Sequence, residues 1–127
     1  MVNLQADDLT IEVDERTPGR IGLAWLGRSN ARNPGAVIHP WFEQIFRGAK
    51  ERKLAVEMSF DKLEHFNSST IAVLIQLINS ARDRRIPLTI RYDGRLRWQA
   101  LSFEALKRVL KTFETAGESP AVSFVST

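Results

Sequence analysis

The sequence predicts an α/β protein built from a mixed β-sheet with helices packed on it. Two observations support this class. Segments with alternating or continuous apolar residues, typical of strands, take turns along the chain with segments whose apolar residues recur every three or four positions, typical of helices. At 127 residues, with 43% hydrophobic and 26% charged residues, the chain is expected to form one domain spanning residues 1–127.

The N-terminal part of the chain predicts two antiparallel strands and a helix. Apolar and polar residues alternate on both sides of the turn Thr17-Pro18-Gly19, as in a hairpin. The apolar residues are Leu9, Ile11 and Val13 in one strand and Ile21, Leu23 and Trp25 in the other. A loop is expected from Gly27 to Gly35. The next helix is expected to have Pro40 in its first turn, and its core stripe is Phe42, Ile45, Phe46 and Ala49.

The rest of the chain predicts three strands and two helices. A strand is expected from Leu54 to Phe60, a helix from Ser68 to Arg85, and another strand from Leu88 to Tyr92. A last strand is expected from Ala121 to Val125, after Gly117 and Pro120. The third helix is indicated by the stripe Leu106, Val109, Leu110 and Phe113.

The start of the Ser68–Arg85 helix is the most informative stretch of the chain. Asn67 and the two serines after it are good capping residues, since their oxygens satisfy free backbone N–H groups that also favour a phosphate. The core stripe of this helix is assigned to Ile71, Leu74, Ile75 and Ile78. At about 100° per residue, Ser69 then lies on the opposite, solvent face, and Thr70 on a partly shielded flank. The solvent face also carries Val73, Gln76 and Ser80.

The stretch from Leu54 to Ile90 resembles the central part of the anti-sigma factor antagonist family, the STAS domain. Members of that family have an apolar strand, a short loop, the motif Asp-Ser-Ser-Gly, an aliphatic helix, a turn and another apolar strand. The same order occurs here around Asn67-Ser68-Ser69-Thr70. The second serine of the motif, which accepts phosphate in the family, falls on Ser69. Asn67 stands where the family usually has Asp, and Thr70 where it usually has Gly.

The resemblance implies a STAS-like fold and a partner-switching regulatory protein, not an enzyme. A cognate serine kinase or anti-sigma-type partner would bind the unmodified protein, and the kinase would phosphorylate Ser69 with its own ATP and magnesium. A phosphatase would reverse the modification. Residues around this phosphorylation site are expected to contact the partner, namely Asn67, Ser68, Thr70, Val73 and Gln76.

Three alternatives remain open at this stage. Asn67, Ser68 and Ser69 can be a helix cap and nothing more, and the departures at Asn67 and Thr70 are compatible with a STAS scaffold that is never phosphorylated. The third alternative lies elsewhere, because residues 82–111 contain nine basic and three acidic side chains. Such a region can bind nucleic acid or an anionic ligand. Nucleic-acid sites usually interleave aromatic residues with such charges, and the aromatic residues that do so here are Tyr92 and Trp98.

Other function classes find little support in the residues. The chain has no cysteine, which excludes disulfides and thiol catalysis and fits a reducing cytoplasm. No apolar run is long enough for a membrane span, and the N-terminus lacks a secretory signal pattern. Asp61, Glu64 and His65 lack the spacing of a metal site, and no phosphate-binding or dinucleotide motif is present. We therefore expect a cytoplasmic protein without catalytic residues, metal, cofactor or membrane contact.

Overall fold

The computed structural model describes residues 2–111 and 122–126, and these contain seven strands and three helices. The strands are β1 (Leu4–Ala6), β2 (Leu9–Asp14), β3 (Arg20–Ser29), β4 (Ala55–Ser59), β5 (Leu63–Phe66), β6 (Leu88–Tyr92) and β7 (Val122–Ser126). The helices are α1 (Gly35–Arg52), α2 (Ser68–Asp83) and α3 (Arg97–Lys111).

The strands form one mixed sheet in the order β1-β2-β3-β4-β6-β7, with β5 pairing to β3 beyond the end of β4. The first three strands are antiparallel, and every pairing after β3 is parallel. A helix lies in each crossover between parallel neighbours, as such connections require. The predicted α/β class with a mixed sheet is therefore confirmed.

The core lies on one face of this sheet. Buried strand residues alternate with half-exposed ones, and the buried set joins the inward residues of all three helices in one cluster. Trp25 is at its centre, with ring centroids 6.0 Å from Phe42 and 4.9 Å from Phe60. Trp41 and Trp98 are partly buried at the edge of the core. None of the described helices is both long and apolar enough to span a bilayer.

Two strands and several boundaries differ from the sequence predictions. β1 and β5 were not predicted, because three or four residues are too few to show an alternating pattern. β3 continues to Ser29 through the first residues of the loop predicted from Gly27. Its partner changes from β4 to β5 between Ala24 and Gly27, and the pairing with β5 is irregular between Gly27 and Arg28. This continuation brings Ser29 to the start of α2.

The first and third helices both begin earlier than predicted. α1 begins at Gly35, so Pro40 lies inside the helix, where it removes the hydrogen bond that residue 40 would donate to Ala36. α3 begins at Arg97, and its Val109 is 41% exposed instead of part of the core. The predicted helix residue Phe113 and the predicted start of the last strand at residue 121 lie outside the described residues.

Candidate functional site

The start of α2 is tied to the end of β3 through Asn67. Its Oδ1 accepts a hydrogen bond from the Thr70 backbone N–H at 2.9 Å, which is the expected helix cap. Its Nδ2 donates to the carbonyl of Ala31 at 2.9 Å, and its backbone N–H donates to the carbonyl of Ser29 at 3.0 Å. An aspartate has no side-chain N–H for Ala31. The hydrogen bond to Ala31 therefore explains why asparagine occupies a position where the family that the sequence resembles usually has Asp.

Thr70 points into the protein, not toward a partner. Its side chain is fully buried, and its Oγ1 lies 2.7 Å from Ser29 Oγ and 2.7 Å from Asn67 Oδ1. All three side chains are satisfied when Ser29 donates to Thr70 and Thr70 donates to Asn67. The prediction that Thr70 is partly shielded understated its burial. Its predicted contact with a partner is incompatible with this position.

Ser68 and Ser69 occupy the first turn of α2, and both are exposed. The Ser69 hydroxyl has no hydrogen-bond partner among the described residues, so it is free to react or to contact another molecule. A negative charge here lies at the positive end of the helix dipole, which stabilises it by about 0.3–1 kcal/mol. The exposure of Ser69 agrees with the prediction from helical geometry.

Val73 is buried, contrary to the prediction that it shares the exposed face with Ser69. It is 6% exposed and packs where α2 meets the first turn of α1 at Gly35. α2 contacts α1 and α3 as well as the core. Its buried face therefore includes Val73, and the predicted core residues Ile71 and Ile75 are only half-buried. The buried residues of α2 are Thr70, Val73, Leu74, Leu77, Ile78, Ala81 and Arg82.

The exposed residues next to Ser69 are Ala72 and Gln76. Gln76 Oε1 lies 2.6 Å from Nε2 of His39 on α1, so the surface continues from one helix to the other. We call Ser68, Ser69, Ala72, Gln76 and His39 the α2 surface. Of the predicted contact residues, Ser68 and Gln76 lie on it. His39 was missed because nothing in a single sequence pairs it with a glutamine 37 positions away.

The N-terminus of α3 lies close to this surface. Phe66, the residue before Asn67, meets the ring of Trp98 edge to face at a centroid distance of 5.4 Å. Both helices start just after parallel strands, and parallel strands end at the same edge of a sheet. Applied to the sequence, this rule predicts that the start of α3 lies near the start of α2.

Three arginines of the basic region are paired with acids on separate elements, whereas Arg82, Lys107, Arg108 and Lys111 line one cavity together with Glu104. Arg84 pairs with Glu43 at 2.5 Å, Arg91 with Glu57 at 2.6 Å, and Arg95 with Asp93 at 3.1 Å. These three arginines lie after α2, in β6 and in the turn before α3, and the hydrogen bond from Arg95 lowers the pKa of Asp93. Charges that are already paired on separate elements are poorly placed to follow a nucleic-acid backbone.

Replacing Asn67 by alanine is expected to lower the free energy of unfolding by about 2 kcal/mol, since a helix cap and a partly buried hydrogen bond are both lost. Asn67→Asp keeps the cap but loses the bond to Ala31, so we expect a smaller loss. Urea denaturation of both variants measures this, with Ser68→Ala as the exposed control. An Asn67→Asp protein as stable as the wild type would show that the bond to Ala31 contributes nothing.

Comparisons with known proteins support the fold but not a sequence family. The sequence matches no family model and no curated protein. A crystal structure of an anti-sigma factor antagonist from Mycobacterium paratuberculosis superimposes with a TM-score of 0.54 and 16% identity, covering 84% of this chain and 86% of that one. An uncharacterized protein with a SpoIIAA-like fold from Shewanella loihica superimposes with a TM-score of 0.57 and 15% identity, covering 100% and 93%.

The chain therefore has the SpoIIAA-like fold, the architecture of STAS domains. At these identities the likeness establishes architecture. What the protein does must be argued from its own site.

Proposed function

We propose that this protein is a partner-switching regulator of the anti-sigma factor antagonist type, whose binding to a protein partner is controlled by reversible phosphorylation of Ser69. The partner would be a serine kinase or another anti-sigma-type protein, and a phosphatase would restore the unmodified form. The observation that carries the proposal is the exposed Ser69 hydroxyl, presented on a helix start that Asn67 and Thr70 hold in place.

Phosphorylation would act on the surface and not on the fold. A phosphate at the first turn of α2 is favoured by the helix dipole, so the helix remains folded. The hydrogen bonds between Ser29, Thr70 and Asn67 already fix this turn in the unmodified protein. Nearly two added negative charges and their hydration would instead oppose any partner that packs on Ser69 and Ala72.

The structure also bears on the alternative of a scaffold that is never phosphorylated. Asn67 and Thr70 depart from the family motif, yet both side chains are used inside the protein. Neither covers the Ser69 hydroxyl, which stays exposed. The departures therefore leave the acceptor serine accessible, and this favours the phosphorylated regulator over the scaffold.

Incubation with the cognate kinase and ATP is expected to add one phosphate, on Ser69. Peptide mass spectrometry locates the phosphate, and Ser69→Ala should abolish its incorporation while Ser68→Ala should not. Thr70 should remain unmodified because its hydroxyl is buried. Phosphate on Ser68 alone, or no phosphate with a kinase of demonstrated activity, would defeat the assignment.

A further inference from the structure

α3 also carries apolar residues outside its core face, from Trp98 at the edge of the core to exposed positions along the helix. Its inward residues are Gln99, Phe103, Leu106 and Leu110, all buried. On the outward side, Leu101 is 62% and Val109 41% exposed. They continue a line of residues spaced three or four apart, which is the spacing of a helix face that packs against another helix. We call Trp98, Leu101, Ala105 and Val109 the α3 strip.

One border of the α3 strip is positively charged. Arg97 and Arg108 are eleven positions apart in sequence, which places them within about 20° of each other around the helix. Both are exposed, and neither has an ion-pair partner among the described residues. The nearest acid on the helix, Glu104, already accepts a hydrogen bond from Tyr92 and pairs with Lys107. The hydrogen bond from Tyr92 and the charges of Lys107 and Arg108 lower the pKa of Glu104, but Glu104 forms no ion pair with Arg108.

The α3 strip begins near the α2 surface. Trp98, its first member, packs edge to face on Phe66, which directly precedes the N-cap Asn67. A partner that covers Ser69 therefore lies near the beginning of the strip. An exposed apolar strip beside a candidate interface commonly belongs to it.

We infer that the α3 strip binds an amphipathic helix of the partner protein whose apolar face is bordered by aspartate or glutamate; this inference rests on the proposed function. Acidic residues opposite Arg97 and Arg108 would complement their positive charge. A second copy of this chain fits poorly. Packing α3 antiparallel to another α3 sets Arg97 of one copy beside Arg108 of the other, and parallel packing sets like residues together.

Two synthetic helical peptides test the charge and apolar parts of this inference. Both carry leucine at the a and d positions of three heptads, one with glutamate and one with lysine at the e and g positions. Added to the isotope-labelled full chain, the glutamate peptide should give saturable NMR shifts at residues 97–109. The lysine peptide should bind at least tenfold more weakly. The double variant Arg97→Glu with Arg108→Glu should reverse this preference.

Matched variants and competing outcomes complete the test. Leu101→Ser should weaken binding of the glutamate peptide at least fivefold. Val37→Ser, which changes an exposed apolar residue of α1, should leave this binding unchanged. Shifts outside α3, no shifts at all, self-association through α3, or preferential binding to phosphatidylglycerol vesicles would each overturn the inference. Because this readout needs no kinase, failure here with Ser69 still phosphorylated would refute the docking surface and leave the proposed function standing.

Discussion

Val73→Glu is expected to lower the free energy of unfolding by about 3–5 kcal/mol, the usual cost of an uncompensated buried charge. Val73 is buried where α2 packs on the start of α1, and the carboxylate would lose its hydration there. Urea denaturation at neutral pH measures the loss. A Val73→Glu protein as stable as the wild type would show that Val73 is exposed, as predicted from helical geometry alone.

Ala72→Glu is the matched control, since it places the same charge one residue earlier on an exposed position. Its unfolding free energy should stay within about 0.5 kcal/mol of the wild type. Because Ala72 lies beside Ser69, the same variant should weaken partner binding tenfold or more, about 1.4 kcal/mol. Unchanged binding by a stable Ala72→Glu protein would show that the partner does not bind the α2 surface.

Gly27→Ala is expected to lower the free energy of unfolding by about 3 kcal/mol. Gly27 has a φ of +84°, and a Cβ there would collide with the backbone carbonyl oxygen of Asp8. The left-handed conformation costs a non-glycine residue about 1–2 kcal/mol, and the collision with backbone adds to that. Gly19→Ala is the control, because Gly19 has a φ of +80° with nothing within 4 Å of the added Cβ.

The difference between these two alanine variants isolates the close approach of Gly27 to Asp8, in the turn between β1 and β2. Thermal or urea unfolding should show Gly19→Ala losing about 1 kcal/mol, the cost of the backbone conformation alone. Gly27 lies two residues before Ser29, whose hydroxyl bonds Thr70, so Gly27→Ala should also shift the NMR signals of the α2 start. Equal losses in the two variants would contradict the close contact with Asp8.

The longer strands and the helices could be predicted because each has one buried face and shows it in its sequence. β2, β3, β4 and β6 all alternate more buried residues with more exposed ones, as expected of strands with one covered face. β1 and β5 are held by their pairing to neighbouring strands, which leaves no local pattern to detect. Local patterns therefore sufficed for the fold class and not for its shortest strands.

The face of α2 was harder to predict, because isoleucine and leucine occur on more than one side of the helix. Assigning the core to Ile71, Leu74, Ile75 and Ile78 follows the rule for a helix that packs on one layer. The helix also packs on α1 and α3, and the contact with α1 buries Val73. Thr70 joins the core because its hydroxyl bonds Ser29, a partner 41 positions away that no local pattern reveals.

Ser69 could still be placed correctly, since it faces solvent under either assignment of the core. The capping role of Asn67 was also predictable, because capping depends on residues within one turn. Sequence could not assign His39 to the site, and it could bring Trp98 there only through the rule that parallel strands end at the same edge of a sheet. Their neighbours Gln76 and Phe66 lie far along the chain, and only the parallel sheet brings them together.

The affinity of the partner kinase or anti-sigma-type protein for the unmodified and the Ser69-phosphorylated chain tests the central claim most directly. Titration calorimetry should show binding weakened tenfold or more by the phosphate, while the thermal unfolding midpoint does not fall. The Ser69→Ala variant should bind the partner as tightly as the unmodified chain, and treatment with the kinase and ATP should not change this affinity. Equal affinities of the two forms, with Ser69 fully phosphorylated, would contradict control of this surface by Ser69.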